Sequence, residues 1–153
     1  MNYRTGAIGA LTDEYEKALN ELKIVLNAIA DDVFLKTNFD LDQDFQSIRN
    51  IVTHMIRSGY VYSNYIRTSF GTQKKDYNFE LNSIKDAITE LDKMFEYHVA
   101  TFENKWLMTD DEMMQTNIKT SWTTYDLEAI IEHAIVHILR HRLQIQKRIA
   151  KDL

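Results

Sequence analysis

The chain contains no proline and only four glycines, Gly6, Gly9, Gly59 and Gly71, in 153 residues. Little therefore interrupts the long stretches in which apolar residues recur three and four apart, the spacing that lines one face of an α-helix. The expectation is an all-α chain. A first helix is predicted to begin near Thr12 as N-cap, with Asp13 and Glu14 behind it, and to bury Tyr15, Ala18, Leu19, Leu22, Leu26 and Ile29, with Asp31 and Asp32 near its end. A second is predicted from Asp44 to Ile66 with Ile48, Val52, Met55, Gly59, Tyr62 and Ile66 inward, followed by a turn marked by Gly71 and residues 74–78. A third runs from Asn82 to Phe102, capped by Asn82 or Ser83, and a fourth from Tyr125 to Ala150.

Four long helices in series predict a four-helix bundle, up-and-down in the simplest case, or with a longer crossover connection that permits another order. With 44% apolar residues and no break in composition, residues 1–153 are expected to form one domain. The stretch between Phe102 and Thr124 is too long for an ordinary bundle turn. Thr109-Asp110-Asp111-Glu112 has the pattern of a capping box, which predicts a short helix through Met113 and Met114. Trp106 and Trp122 flank it and are expected to seal the end of the core, with a cover over a pocket as the functional alternative.

Composition narrows the function. A formal charge of −5 opposes non-specific attraction to nucleic acid, and no nucleic-acid partner is expected. Arg140, Arg142, Lys147, Arg148 and Lys151 crowd the last helix, where cations complement the helix dipole. No stretch approaches the roughly 20 apolar residues needed to span a bilayer, and there is no secretory signal pattern, so a cytoplasmic protein without a membrane partner is expected. There are no cysteines, which removes disulfides, thiolate metal sites and a protein-borne thiol nucleophile.

Three of the five histidines, His133, His137 and His141, follow one another at intervals of four in the last helix. A lone histidine on a helix flank is ordinarily packed or solvated, whereas two in register can converge on one metal ion. At about 100° per residue, His141 lies roughly 60° from the centre of the stripe formed by Leu127, Ile131, Ala134, Ile138, Ile145 and Ile149; His137 lies about 100° away and His133 about 140°. His137 and His141 are the inward pair, and His133, about 12 Å from His141 along the axis, is too far to share an ion with it. The third ligand should come from another helix, where His54 and His98 are the candidates. His54, in the middle of the second helix, is preferred, because His98 near the end of the third could equally be a surface residue complementing the helix dipole. Imidazole donors suit zinc, nickel or iron(II) better than calcium or magnesium. Ile138 stands where a zincin protease needs glutamate after its first histidine, and no paired Glu-x-x-His motif of a diiron bundle is present.

The histidine in mid second helix, together with the run His137-Ile138-Leu139-Arg140-His141-Arg142-Leu143-Gln144, resembles the DinB/YfiT-like proteins of bacteria almost end to end. Members commonly have glycine where this chain has Leu143. The resemblance implies a four-helix bundle, often a homodimer, holding a divalent metal on three histidines that correspond to His54, His137 and His141. It also implies low-molecular-weight thiol chemistry, since the better-understood relatives use bacillithiol or mycothiol against electrophiles or in isomerisation. A metal-dependent thiol S-transferase acting on a small-molecule substrate is the expected function; the alternative is a non-catalytic metal- or ligand-binding stress-response protein. Tyr62, Tyr65 and Trp122 are candidates to line an electrophile pocket, with core packing as the ordinary explanation. Arg142 could hold a thiol cofactor's carboxylate, but a solvated helix-end arginine is the plainer expectation.

Overall fold

The computed structural model describes residues 2–152. Four long helices carry the fold: α1 (Gly6–Asn27), α3 (Ile48–Phe70), α4 (Ile84–Thr101) and α6 (Leu127–Asp152). Between them lie α2 (Asp31–Leu35), a single 3-10 turn at Gln43–Phe45, α5 (Asp110–Met114), and a hairpin of β1 (Ile118–Lys119) and β2 (Thr124–Tyr125). Among the described residues, no helix is long and apolar enough to cross a membrane.

The direction of each long helix follows from its contacts. One buried cluster joins Ile8, Ile66, Phe102, Leu127, Ile130 and Ile131, bringing the start of α1 and α6 to the same end as the finish of α3 and α4. The larger cluster joins Leu26, Ile48, Ile84 and Ile145 at the other end. The order is therefore up, down, down, up, so the crossover topology holds and the simple up-and-down arrangement does not.

Two parallel neighbours in a row, α3 and α4, need a connection that returns along the bundle. Gly71 ends α3 with φ +70°, a left-handed cap that suits glycine, and the amides of Gly71 and Thr72 donate to Thr68 and Arg67 carbonyls. The segment from Gly71 to Ser83, about 13 residues at up to roughly 3.3 Å each, reaches about 43 Å. That is enough to pass α3, whose 23 residues span about 35 Å. The crossover is seated rather than free. Tyr77 stacks on Tyr60 at 4.9 Å, and the Lys75 amide donates to the Tyr97 hydroxyl at 2.8 Å. Its end is fixed where the Ile84 amide donates to Asp31 at 2.8 Å.

Element starts differ from expectation where tertiary burial or a better cap wins. Thr12 is not an N-cap but a buried residue within α1, its hydroxyl donating to the Ile8 carbonyl at 2.8 Å. Burial of Ile8 extends the helix back through Gly9 to Gly6 despite glycine's poor helix propensity. Asp31 and Asp32 do not close α1; they open α2, where carboxylates favour the positive helix end. The cap of α3 is Ser47, which accepts from the Asn50 amide, and Asp44 falls in the preceding 3-10 turn. Ser83 caps α4, and the Thr109–Glu112 capping box is formed as expected.

Of the two tryptophans, Trp106 packs against the lower core beside Phe102, as expected of a core seal. Trp122 does not seal the core: it rides on the hairpin and is 50% exposed. Arg142 is half-buried and ion-paired with Glu21 rather than simply solvated, and Arg148 donates to the carbonyls of Phe45 and Gln46.

His98 departs most from its expected place. Its side chain is buried between Tyr15 at 4.8 Å and Phe102 at 5.0 Å, and its Nε2 has no partner among the described residues. It is a core residue of α4, away from His54. Burial, with the Arg4 cation adding to it, pushes the imidazole down to about 3. The unfolded chain, with an ordinary imidazole near 6.5, then binds a proton that the folded chain refuses. Stability is full above that unfolded value and falls as pH drops toward 3, by on the order of 1 kcal/mol per pH unit from this residue. Urea melts of wild type and His98→Phe between these limits should show a shallower acid loss in the variant; equal slopes would remove His98 as a cause.

Candidate metal centre

The antiparallel pairing of α3 with α6 brings His54 opposite the turn that carries His137 and His141. The three side chains expected together are together: the Nε2 atoms of His54 and His141 each lie 3.1 Å from His137 Nε2, and all three donor atoms fall within 4.8 Å of one another. His98 is not among them. His133 stands one turn before His137, outside the trio, with its ring 5.3 Å from Tyr62 and its Nδ1 3.4 Å from the Tyr125 hydroxyl.

Each ring is oriented by a neighbour. Gln144, three residues after His141 on the same helix face, accepts at 2.7 Å from His141 Nδ1. A neutral imidazole has one N–H, so this bond fixes the proton on Nδ1 and leaves the Nε2 lone pair facing the other two histidines. Asp44 Oδ2 lies 3.6 Å from His54 Nδ1 and favours the same tautomer there. Phe45 covers the pair from outside, stacked over His141 at 6.0 Å and edge-on to His54 at 5.9 Å. Arg148 positions that ring by holding the Phe45 and Gln46 carbonyls.

Electrostatics keep the donors neutral. Burial, then neighbouring His141, His54, His133 and Arg140, pushes His137 down to about 3. Burial also lowers His54 against the pull of Asp44, and lowers His141 against the opposing bond to Gln144. With lone pairs of His54 and His141 both aimed at His137 Nε2, a single N–H on that nitrogen can satisfy only one of them. A cation satisfies all three. Nitrogens held tetrahedrally by zinc at 2.0–2.1 Å stand about 3.3 Å apart, close to the 3.1 Å that separates His137 Nε2 from each of the other two, with all three donor atoms within 4.8 Å. The residues present fit a divalent transition metal, and the three-histidine group could hold one.

Beside His54 and His137 opens a cavity of about 410 Å³, walled by Val61, Tyr62, Trp122 and His133 and rimmed by Arg57 and Ser58. Tyr62 and Trp122 meet edge to face at 6.3 Å, and the Trp122 indole donates to Tyr125 Oη at 3.0 Å. Tyr65 does not line this cavity; it stands behind Trp122, 5.9 Å from its ring.

The profile of the DinB family matches residues 3–149, nearly the whole length of the described fold. The chain belongs to the DinB family. No curated protein matches it at a significant level. Within this DinB member, the residues that sequence reasoning missed are those that orient the donors. Gln144 was reachable, because a carboxamide three residues after a histidine on one helix face can bond its Nδ1. Asp44 and Phe45 carried no such signal, since a 3-10 turn brings them to the site, and Arg148, seven residues after His141 on α6, acts only through the carbonyls of that turn.

Long-range nitrogen NMR of metal-free protein should find His141 as the Nδ1–H tautomer at neutral pH, and His137 still as neutral imidazole at about pH 5. An imidazolium at His137 at that pH would contradict the burial described above.

Proposed function

We propose that His54, His137 and His141 bind a divalent transition ion, zinc or nickel, and that the protein is a metal-dependent enzyme transferring a low-molecular-weight thiol to an electrophile. The observation that carries the reading is the convergence of three neutral imidazole nitrogens beside a cavity, with two of the rings oriented from behind. Membership of the DinB family supports the metal, and the absence of cysteine agrees with a thiol brought from outside.

The chain's own contributions are binding, orientation and water exclusion. Gln144 and Asp44 fix the imidazoles so that their lone pairs need no reorganisation when a ligand arrives. Phe45 blocks approach across His54 and His141, which leaves the Tyr62–Trp122 side for the organic substrate. A metal bound here supplies a Lewis acid that lowers the pKa of a thiol near neutral pH. A homodimer belongs to the same proposal, supported by the exposed apolar residues Val136, Leu139 and Leu143 along α6.

Elemental analysis of untagged wild type beside His54→Ala and His137→Ala, with folding followed by circular dichroism, tests the site. About one transition metal per chain in wild type, lost from both folded variants, is expected. Gln144→Leu should retain the fold and weaken zinc about tenfold in competition with a chromophoric chelator. Failure of wild type to take up zinc or nickel would reject the metal reading, and thiol-dependent turnover unchanged in metal-free protein would reject its catalytic role.

A further inference from the structure

We propose that the cavity beside His54 and His137 receives an organic acid, with an apolar body of aromatic size against Tyr62 and Trp122 and a carboxylate held by Arg57. This deepens the function proposed above, and depends on it only for the position of the ligand's reacting end.

The charges of the wall point to an acid. The cavity lining contains one permanent cation, Arg57, three imidazoles and no carboxylate, in a chain whose net charge is −5. Local charge at this opening thus opposes global charge, as it would where an anion is drawn in. Arg57 is also uncommitted. Arg4 and Arg142 pair with carboxylates, Arg67 donates to Thr101 and Arg148 to main-chain carbonyls, whereas Arg57, like Arg49 and Arg140, makes no ion pair or side-chain hydrogen bond among the described residues; of these three, Arg57 alone lines this cavity. An exposed arginine is ordinarily just solvated; this one forms the rim of a cavity, three residues after His54 on the same helix face. Its planar fork suits a carboxylate better than a point charge does.

The body of the ligand follows from the inner wall. Tyr62 is nearly fully buried, meets the rings of His133 and His137 at 90°, and touches Trp122 edge to face. These interlocked rings, with Val61, present apolar surface to a space of about 410 Å³, within the range that small organic ligands occupy. Half of Trp122 remains exposed although its indole N–H is already bonded to Tyr125, so covering its ring face costs no polar group. Metal ligation by imidazoles alone brings no negative charge, so a bound divalent ion would strengthen the preference for an anion.

The test is calorimetry with 4-phenylbutyrate and its neutral amide, 4-phenylbutyramide, on zinc-free and zinc-treated protein. In zinc-free wild type the acid should bind about fivefold more tightly than the amide. Arg57→Gln should bring the ratio to about one with amide binding unchanged, and Tyr62→Ala should weaken both ligands. Equal affinities in wild type, a preference that survives in Arg57→Gln, or binding of neither compound would overturn the proposal. Zinc stoichiometry on the same samples separates the two ideas. Acid preference without zinc uptake keeps this inference and rejects the metal centre, and zinc uptake without acid preference does the reverse.

Discussion

The antiparallel register of α3 against α6 is the constraint on which the functional end of the molecule rests. His54 meets His137 and His141 only because α3 descends past the rising α6 at that height. A slip of one residue on either helix would rotate an imidazole by about 100° and shift it 1.5 Å, out of reach of the others. The register is held from both ends of the bundle. Below, Ile66 locks into Leu127, Ile130 and Ile131, and above, Ile48 and Val52 pack in the cluster that contains Ile145. On its other side α3 lies so close to α4 that a side chain at Gly59 would collide with Met94, so α3 has little room to translate.

Two different uses of burial distinguish the histidines. His98 is surrounded by Tyr15, Phe95 and Phe102, and its Nε2 has no partner among the described residues, so desolvation there makes it behave as a flat, neutral core ring. His137 is also driven neutral, but its nitrogen faces two others and a cavity. The same physical term therefore yields a packing residue in one place and a ligand donor in the other. What separates them is the company of other nitrogens and the opening to the cavity, for His98 is sealed in the core while His137 is only half-buried.

Much of this was legible in the sequence, and the limits have physical causes. The inward stripes of the long helices and the inward turn of His137 and His141 follow from a 3.6-residue period, and they appear where the period puts them. The choice of His54 over His98 rested on position along a helix and on family resemblance, and the structure brings His54 to the pair. The burial of His98 was legible but passed over: it stands seven residues after Leu91 and fourteen after Ile84, inside the stripe of α4, where Tyr15 of α1 and Phe102 cover it. The early start of α1 escaped notice because glycines at 6 and 9 argue against a helix that burial of Ile8 enforces. Helix order was open for a similar reason. The segment from Gly71 to Ser83 announces a long loop, but its path along the bundle is decided by Tyr77 on Tyr60 and by Asp31 at its far end.

That seated crossover also bears on how the molecule comes together. The donors on α3 and α6 are 83 residues apart in sequence, and everything between them includes the return of the chain along the bundle. Closing so long a loop costs entropy before any contact repays it, whereas each helix can form from its neighbours alone. The imidazole cluster is thus a product of topology. A peptide of α6 would carry two of the three donors and no site, and during folding the ability to gather all three nitrogens arises only after the crossover has been laid down. In kinetic terms, the cluster reports that the whole chain has found its route, not that any part of it has become helical.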